Sequence, residues 1–398
     1  MPHATGATID RPFHFDPYAP QTDADPYPAY KVLREQYPCF WSQEAGMWVL
    51  SRHADVLNAL QNWKLYSSAK GNLIDEFPGR AGATLGSSDP PRHDRLRALI
   101  QSAMTKRALD HVAEPARASA RAHLAALEGR DTFDFVGEFG SRVTVDLLFY
   151  LFNLPRENAD EVRENAVLMV QTDPVTRQKT EKHLAAFRWM ADYAEKLVAQ
   201  RTANPGDDLL SSFITAEIDG EKLLPREVQL TVTTLIMAGI ESLSGFMAMF
   251  ALNMAEFAQA RRAICADFSL LPDAIEESLR FNTSAQRFKR CVMQDIELHG
   301  QTMKAGDFVM LAYGSANRDA AVFADPDTYD ITRRPKRHLG FGGGVHACLG
   351  SMLARLACQV VFEEFLRSVP DFTQVDQALE WVPSSNFRSP KALMLKRA

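Results

Sequence analysis

The chain has 398 residues, 46% of them hydrophobic, which is enough for a large core. Its 44 basic and 50 acidic residues give a net charge of −6, so no general basic field for nucleic acid arises. Cys39, Cys265, Cys291, Cys348 and Cys358 are odd in number, widely spread and without a CxxC pair. That excludes a disulfide framework or a cysteine-rich zinc site and fits a reducing compartment, the cytoplasm.

Roughly the first thirty residues are rich in Pro, Asp and Tyr and hold no apolar leader-like run, so neither a signal peptide nor a membrane anchor is expected there. Residues 1–14 read as a flexible arm, and residues 15–398 as a single domain. Cys39 to Ser51 predicts a hairpin turning at Ala45-Gly46. Ser51 is the expected cap of a helix running through Val56 and Leu60. The stretch from Gly71 to Ser88 predicts a loop with a short helix. From Asp89 to about Phe268 the periodicity is helical, broken at Leu154-Pro155 and at Asn204-Pro205-Gly206. Pro225, with Glu227 behind it, suits a helix start. Thr231 to Ala255 has almost the length of a membrane span. Glu241 near its middle would cost about 2.5–3.5 kcal/mol in a bilayer, so a long helix through a protein core is expected instead. Asp295 to Tyr313 alternates and turns at His299-Gly300 and Ala305-Gly306, predicting short strands. The whole reads as mainly α with small β sheets.

Four constellations carry chemistry. His93 and Arg97 lie four apart on one helical face, a spacing that suits binding a carboxylate. Ala238, Glu241 and Ser242 share a face of the long helix. There Gly239 costs about 1 kcal/mol against alanine and lets the helix kink or widen into a groove. An acid followed by a hydroxyl suits proton delivery. Glu277 and Arg280 lie three apart, an ion pair of weak significance by itself. The fourth is Phe341-Gly342-Gly343-Gly344-Val345-His346-Ala347-Cys348-Leu349-Gly350. It sets a lone cysteine on a glycine-rich loop just before an apolar helix. Glycine allows close backbone approach to a flat ligand. The helix start stabilises a thiolate, which suits an anionic sulfur ligand to iron.

These motifs resemble the cytochrome P-450 family, the haem-thiolate monooxygenases. The family's loop reads Phe, two residues, Gly, three residues, Cys, any residue, Gly, and Phe341, Gly344, Cys348 and Gly350 fill it. The resemblance covers about residues 15–398 and implies the family's fold, with haem b between the long central helix and the cysteine-loop helix. It implies Cys348 as the metal ligand. It implies His93, Arg97, Arg290 and His346 around the haem propionates, with His338 as a further donor and Ala238, Phe341 and Gly344 against the cofactor. Glu241 and Ser242 take the catalytic places, Ser242 standing where the family usually has threonine. Glu277-x-x-Arg280 implies a buried network with Arg333 or Arg334, and spacing does not decide which. Ala316-Asn317-Arg318-Asp319, Phe323 and Asp325-Pro326 match the stretch before the loop.

The implied reaction inserts one atom of O2 into a small, mainly apolar substrate, an aromatic ether or a terpenoid being examples, by hydroxylation or oxidative O-dealkylation. The expected pocket comprises Leu73, Ile74, Phe77, Thr234, Met237, Ala238, Ala285, Gln286 and Phe387. No flavin, nicotinamide or iron–sulfur pattern follows residue 350, so a separate ferredoxin with its reductase supplies electrons. Its docking site would be the basic patch of Arg92, Arg95, Lys106, Arg107, Arg333, Arg334, Lys336 and Arg337. A monomer acting without membrane or nucleic acid is expected. The alternatives are a peroxide-driven enzyme and a haem sensor without turnover.

Overall fold

The computed structural model describes residues 13–105 and 111–398. The helix Pro225–Glu256 forms its axis. Pro225 opens it where no N–H donor is needed, and the Glu227 carboxylate accepts the Leu224 N–H at 3.0 Å. The helices Ser141–Phe152, Ala159–Val170 and Glu181–Ala203 pack around it. Gly239 admits Leu148 of the first of these so closely that a Cβ would stand 3.0 Å from its methyl. The axial helix is long and apolar enough to cross a membrane, yet 67% of its most apolar stretch is buried inside the protein. That is the signature of a core helix.

A five-stranded sheet flanks the helices, in the order Cys39–Ser42, Met47–Leu50, Phe308–Ala312, Arg287–Val292, Tyr66–Ser67. The expected hairpin is present, Cys39 facing Leu50 and Gly46 turning at φ +59°. Strands Ile296–Leu298 and Gln301–Met303 turn at His299 and Gly300, both at positive φ. A second sheet joins Phe372–Gln374, Met394–Arg397 and Thr132–Asp134, sewing the end of the chain to its first half.

Two local expectations need correction. Ser51 caps nothing, and its buried hydroxyl has no partner. The helix begins at His53, whose N–H is taken at 2.8 Å by Asp319, a residue remote in sequence. A tertiary contact has displaced the local cap. Phe13 and His14 do not fit the expected flexible arm: Phe13 stacks on Tyr37 at 5.2 Å, and His14 meets Glu44 at 3.2 Å. Residues 1–12 lie outside the described residues.

The pair in the Leu271–Phe281 helix resolves a choice that spacing left open. Glu277 and Arg280 are fully buried and meet through two hydrogen bonds of 2.8 and 2.7 Å. Arg333 completes the triad at 3.2 Å, while Arg334 pairs with Asp273 at the surface. Arg280 also donates to the carbonyls of Asn317, Pro326 and Thr328, and Arg333 to those of Ala324, Asp325 and Thr328. Asn317 in turn accepts the Leu339 N–H at 2.6 Å, just ahead of the cysteine loop. The charges thus fix the backbone that leads into the loop. Arg280→Ala would leave Glu277 buried and short of counter-charge. It should cost about 3–5 kcal/mol of stability, read as a lowered urea midpoint. An unfolding free energy within about 1 kcal/mol of the parent would contradict this role.

Candidate active site

The loop at 341–350 is shaped by backbone constraints. The Cys348 N–H donates to the Phe341 carbonyl at 2.9 Å, closing the loop. Gly342 and Gly344 sit at φ +68° and +63°. A Cβ on Gly344 would stand 2.0 Å from the Leu60 carbonyl oxygen, so no other residue fits there. Gly344 therefore acts through its backbone and does not line the cavity behind the loop. Phe341 does line it, under the Arg355 guanidinium, which lies 4.5 Å from the ring centroid. The helix Ser351–Ser368 starts three residues after Cys348. The Cys348 thiol has accessible surface, but toward the cavity rather than outward. Burial accordingly raises its pKa, opposed by the Gly350 N–H, Arg97 and Arg355. Coordination by a metal ion would deprotonate such a thiol outright.

The cavity has a volume of about 390 Å³, and its wall is mainly apolar. At the loop end donors converge. The rings of His93 and His346 meet edge to face at 4.6 Å, His93 one layer behind. The Nε2 atoms of both are buried without a hydrogen-bond partner. His93 Nδ1 is held by Asp94 at 2.9 Å. Arg97 braces the cysteine loop through the carbonyls of Val345 and Ala347 at 3.2 and 2.9 Å and also lines the cavity. Arg290 lines it beside Tyr313. His346 is pushed down to about 2, first by burial and then by Arg290, His93 and Arg97. Orphaned donors and unopposed cations around one space fit a ligand bearing carboxylates, as haem b does. Gly350 adds room: no protein atom lies within 4 Å of where its Cβ would stand. His338 is not part of this group, because it is committed to Glu276 at 2.9 Å.

The central helix, continuous through this region, forms the opposite wall with Ala238, Gly239 and Ser242. Ser242 Oγ donates to the Ala238 carbonyl one turn back. Glu241 is not on the cavity wall. It is buried and accepts a 2.9 Å hydrogen bond from Ser389, and burial pushes its pKa up to about 7. Leu73, Thr234, Met237, Ala285 and Phe387 line the cavity as expected. Ile74, Phe77 and Gln286 do not. Ile74 packs with Phe15 and Tyr30, and Phe77 stacks on Phe187 at 4.7 Å. Gln286 donates to the Thr283 carbonyl at 2.6 Å. Neighbours along an extended segment face opposite sides, so Ala285 turns inward while Gln286 turns away. Sequence reasoning missed Ser389, Tyr313, Asn72 and Arg80. The last two lie in the loop that was singled out only for its apolar residues.

The basic patch is largely neutralised. Arg95 is bound by Glu221 and Glu227, and Arg92 by Glu227. Arg333 is spent inside the triad and Arg334 on Asp273. Lys106 and Arg107 lie outside the described residues. Lys336 and Arg337 remain exposed, with no side-chain ion pair among the described residues.

A sequence model of the family described as cytochrome P450 matches residues 258–370. Beyond that segment, cytochrome P450 123 of Mycobacterium tuberculosis is 31% identical over 378 residues, covering 94% of each chain. The chain belongs to the cytochrome P450 family. A methyl-branched lipid omega-hydroxylase of M. tuberculosis is 31% identical over 367 residues, covering 88% of this chain and 86% of its own. Among solved structures, CYP109E1 of Bacillus megaterium bound to testosterone superposes with a TM-score of 0.88 at 25% identity, covering 95% and 99% of the two chains. The bacillaene synthase P450 PksS of Bacillus subtilis gives 0.89 at 26%, covering 96% and 100%. The protein is thus a P450 monooxygenase whose cofactor is haem b and whose reaction uses O2 and an organic substrate.

The raised pKa of Glu241 has a testable consequence. Its neutral form is favoured in the fold, an advantage complete below the ordinary glutamate range and lost as pH rises through about 7. Glu241→Gln stays neutral. It should gain stability over the parent as pH rises from about 5 to 8, by roughly 3 kcal/mol at the upper end. Urea unfolding at each pH reads this directly, and a pH-independent difference would exclude a raised pKa.

Proposed function

We propose that this P450 hydroxylates, or oxidatively O-dealkylates, a small and mainly apolar organic molecule, taking single electrons from a separate ferredoxin and its reductase. One observation carries the reading: the Cys348 thiol and the Ser242 hydroxyl open onto one apolar cavity that has a donor-rich end. Cys348 would hold the iron, and His93, Arg97, Arg290 and His346 the propionates. When bound, the haem supplies the redox chemistry of oxygen activation. Leu73, Thr234, Met237, Ala285 and Phe387 shape a dry space that holds the substrate and keeps bulk water out. Ser242 Oγ, resting on its own helix carbonyl, can rotate to present its proton to the cavity. Glu241, poised near neutrality one residue away, can hold or release a proton for it. The names of similar proteins, which include a lipid hydroxylase and a testosterone complex, support a hydrocarbon body for the substrate. The same reading makes the protein a cytoplasmic monomer.

The reduced carbon monoxide complex should show the red-shifted band of thiolate ligation, and Cys348→His should abolish it. Persistence of the band in that variant would displace Cys348 as the ligand. Ser242→Ala should leave substrate affinity nearly unchanged while diverting electrons to peroxide or water. Unchanged product yield per NADH would remove Ser242 from proton delivery.

Among the described residues, Lys336 and Arg337 are what remains of the docking patch for an acidic ferredoxin. The association rate should fall steeply with ionic strength, because charges beyond about 8–10 Å are screened at physiological salt. The double reversal Lys336→Glu and Arg337→Glu should slow reduction by ferredoxin in stopped flow. A rate indifferent to both salt and reversal would place the partner elsewhere.

A further inference from the structure

The cavity wall is charged in one sense only. Among the described residues no Asp or Glu lines it, whereas Arg80, Arg97, Arg290 and Arg355 do. Arg97 and Arg290 belong to the donor-rich end described above, and Arg355 is held by Glu276. Arg80 has no such assignment. It is 3% exposed and sits in the loop between Gly71 and Ser88. Its Nη1 is fixed by Asn72 at 3.0 Å and Glu76 at 2.7 Å. Every hydrogen bond of the guanidinium among the described residues falls on that nitrogen, and Nε is buried without a partner.

The surroundings leave it in excess. Lys179 and Lys289 lie close enough to repel Arg80, and both are also within reach of Asp75 and Glu76. The two ammonium groups donate only to backbone carbonyls, those of Met169, Gln171 and Ile74. Three cations therefore face two carboxylates. Asp75 is taken up by the hydroxyls of Tyr18, Thr172 and Ser385. Glu76 is taken up by Arg80 and three backbone N–H groups. A surplus buried charge with a free planar edge is stabilised by an anion of matching shape. Arg80 shares no hydrogen bond with His93, Arg97, Arg290 or His346, the groups assigned to the haem carboxylates. Arg80 keeps company with Lys179 and Lys289 instead.

We propose that Arg80 is a carboxylate-binding subsite, and that the substrate is a monocarboxylic acid whose hydrocarbon body runs from Arg80 past Leu73, Met237 and Phe387 toward Cys348. Asn72 and Glu76 position the guanidinium, leaving its remaining donors for both carboxylate oxygens. The inference rests on the monooxygenase reading and adds the polar end of the molecule to it.

The test uses the haem-loaded protein and two probe pairs, decanoic acid with decanamide and 4-isopropylbenzoic acid with its amide. Binding is followed by the shift of the haem absorption band and, independently, by calorimetry. The parent should bind at least one acid about tenfold or more tighter than its amide, the scale of one charge-assisted hydrogen bond. Arg80→Gln should bind acid and amide alike. Arg80→Lys should recover part of the preference, because it restores charge without the fork. Haem content and the carbon monoxide band should match the parent in both variants. Equal binding of acid and amide by the parent, a preference that survives Arg80→Gln, or an acid panel that never binds overturns the proposal. Loss of haem from both variants would also overturn it, assigning Arg80 to the cofactor. A parent without the thiolate band would sink the monooxygenase reading instead, and the calorimetric preference would still report on Arg80.

Discussion

The active-site architecture depends on the cysteine loop being held from behind. Its shape leaves no slack. Gly344 touches the Leu60 carbonyl with no space for a side chain, and the Cys348 N–H is spent on the Phe341 carbonyl. The approach to the loop is set by three fully or largely buried charges, Glu277, Arg280 and Arg333, which bind the carbonyls of the segment before it. Charges this deep are expensive to desolvate and are tolerated only when every donor and acceptor is met. Here they are met largely by backbone groups, so the desolvated ions become a ruler for the chain path rather than a source of net stability. Arg97, from the helix Arg92–Thr105, adds a second brace through the carbonyls of Val345 and Ala347.

The cavity itself is organised by charge sign. Among the described residues no carboxylate lies on this mainly apolar wall, so the positive field of Arg97 and Arg290 is little opposed there. His346 lies beside them, and its burial, then Arg290, His93 and Arg97, disfavour its charged form. Glu241, one residue from the wall residue Ser242, lies off the wall and is held by Ser389. That arrangement keeps its charge out of the space.

Much of this was legible in the residues and some was not. The cysteine loop, the long central helix and the hairpin follow from local rules: glycine where φ is positive, an apolar run with a proline start, alternation around Gly46. The choice of Arg333 over Arg334 was not legible, because adjacent residues differ only in the direction that the folded backbone gives them. The same limit explains Ile74 and Gln286, each one residue from a true cavity residue. Ser51 obeyed the capping rule in sequence and lost to Asp319 in space. The basic patch looked free because sequence shows cations but not their partners. Glu221 and Glu227, far along the chain, had already claimed Arg92 and Arg95.

The partner of Glu241 is carried by the last stretch of chain. Ser389 lies two residues after the wall residue Phe387, and Met394–Arg397 follows as the middle strand of the sheet that contains Thr132–Asp134. During synthesis the central helix is complete well before this stretch leaves the ribosome. Until it docks, the Glu241 carboxyl lacks its hydroxyl partner. The surroundings of an acid in the central helix are thereby completed by a segment 148 residues further along the chain.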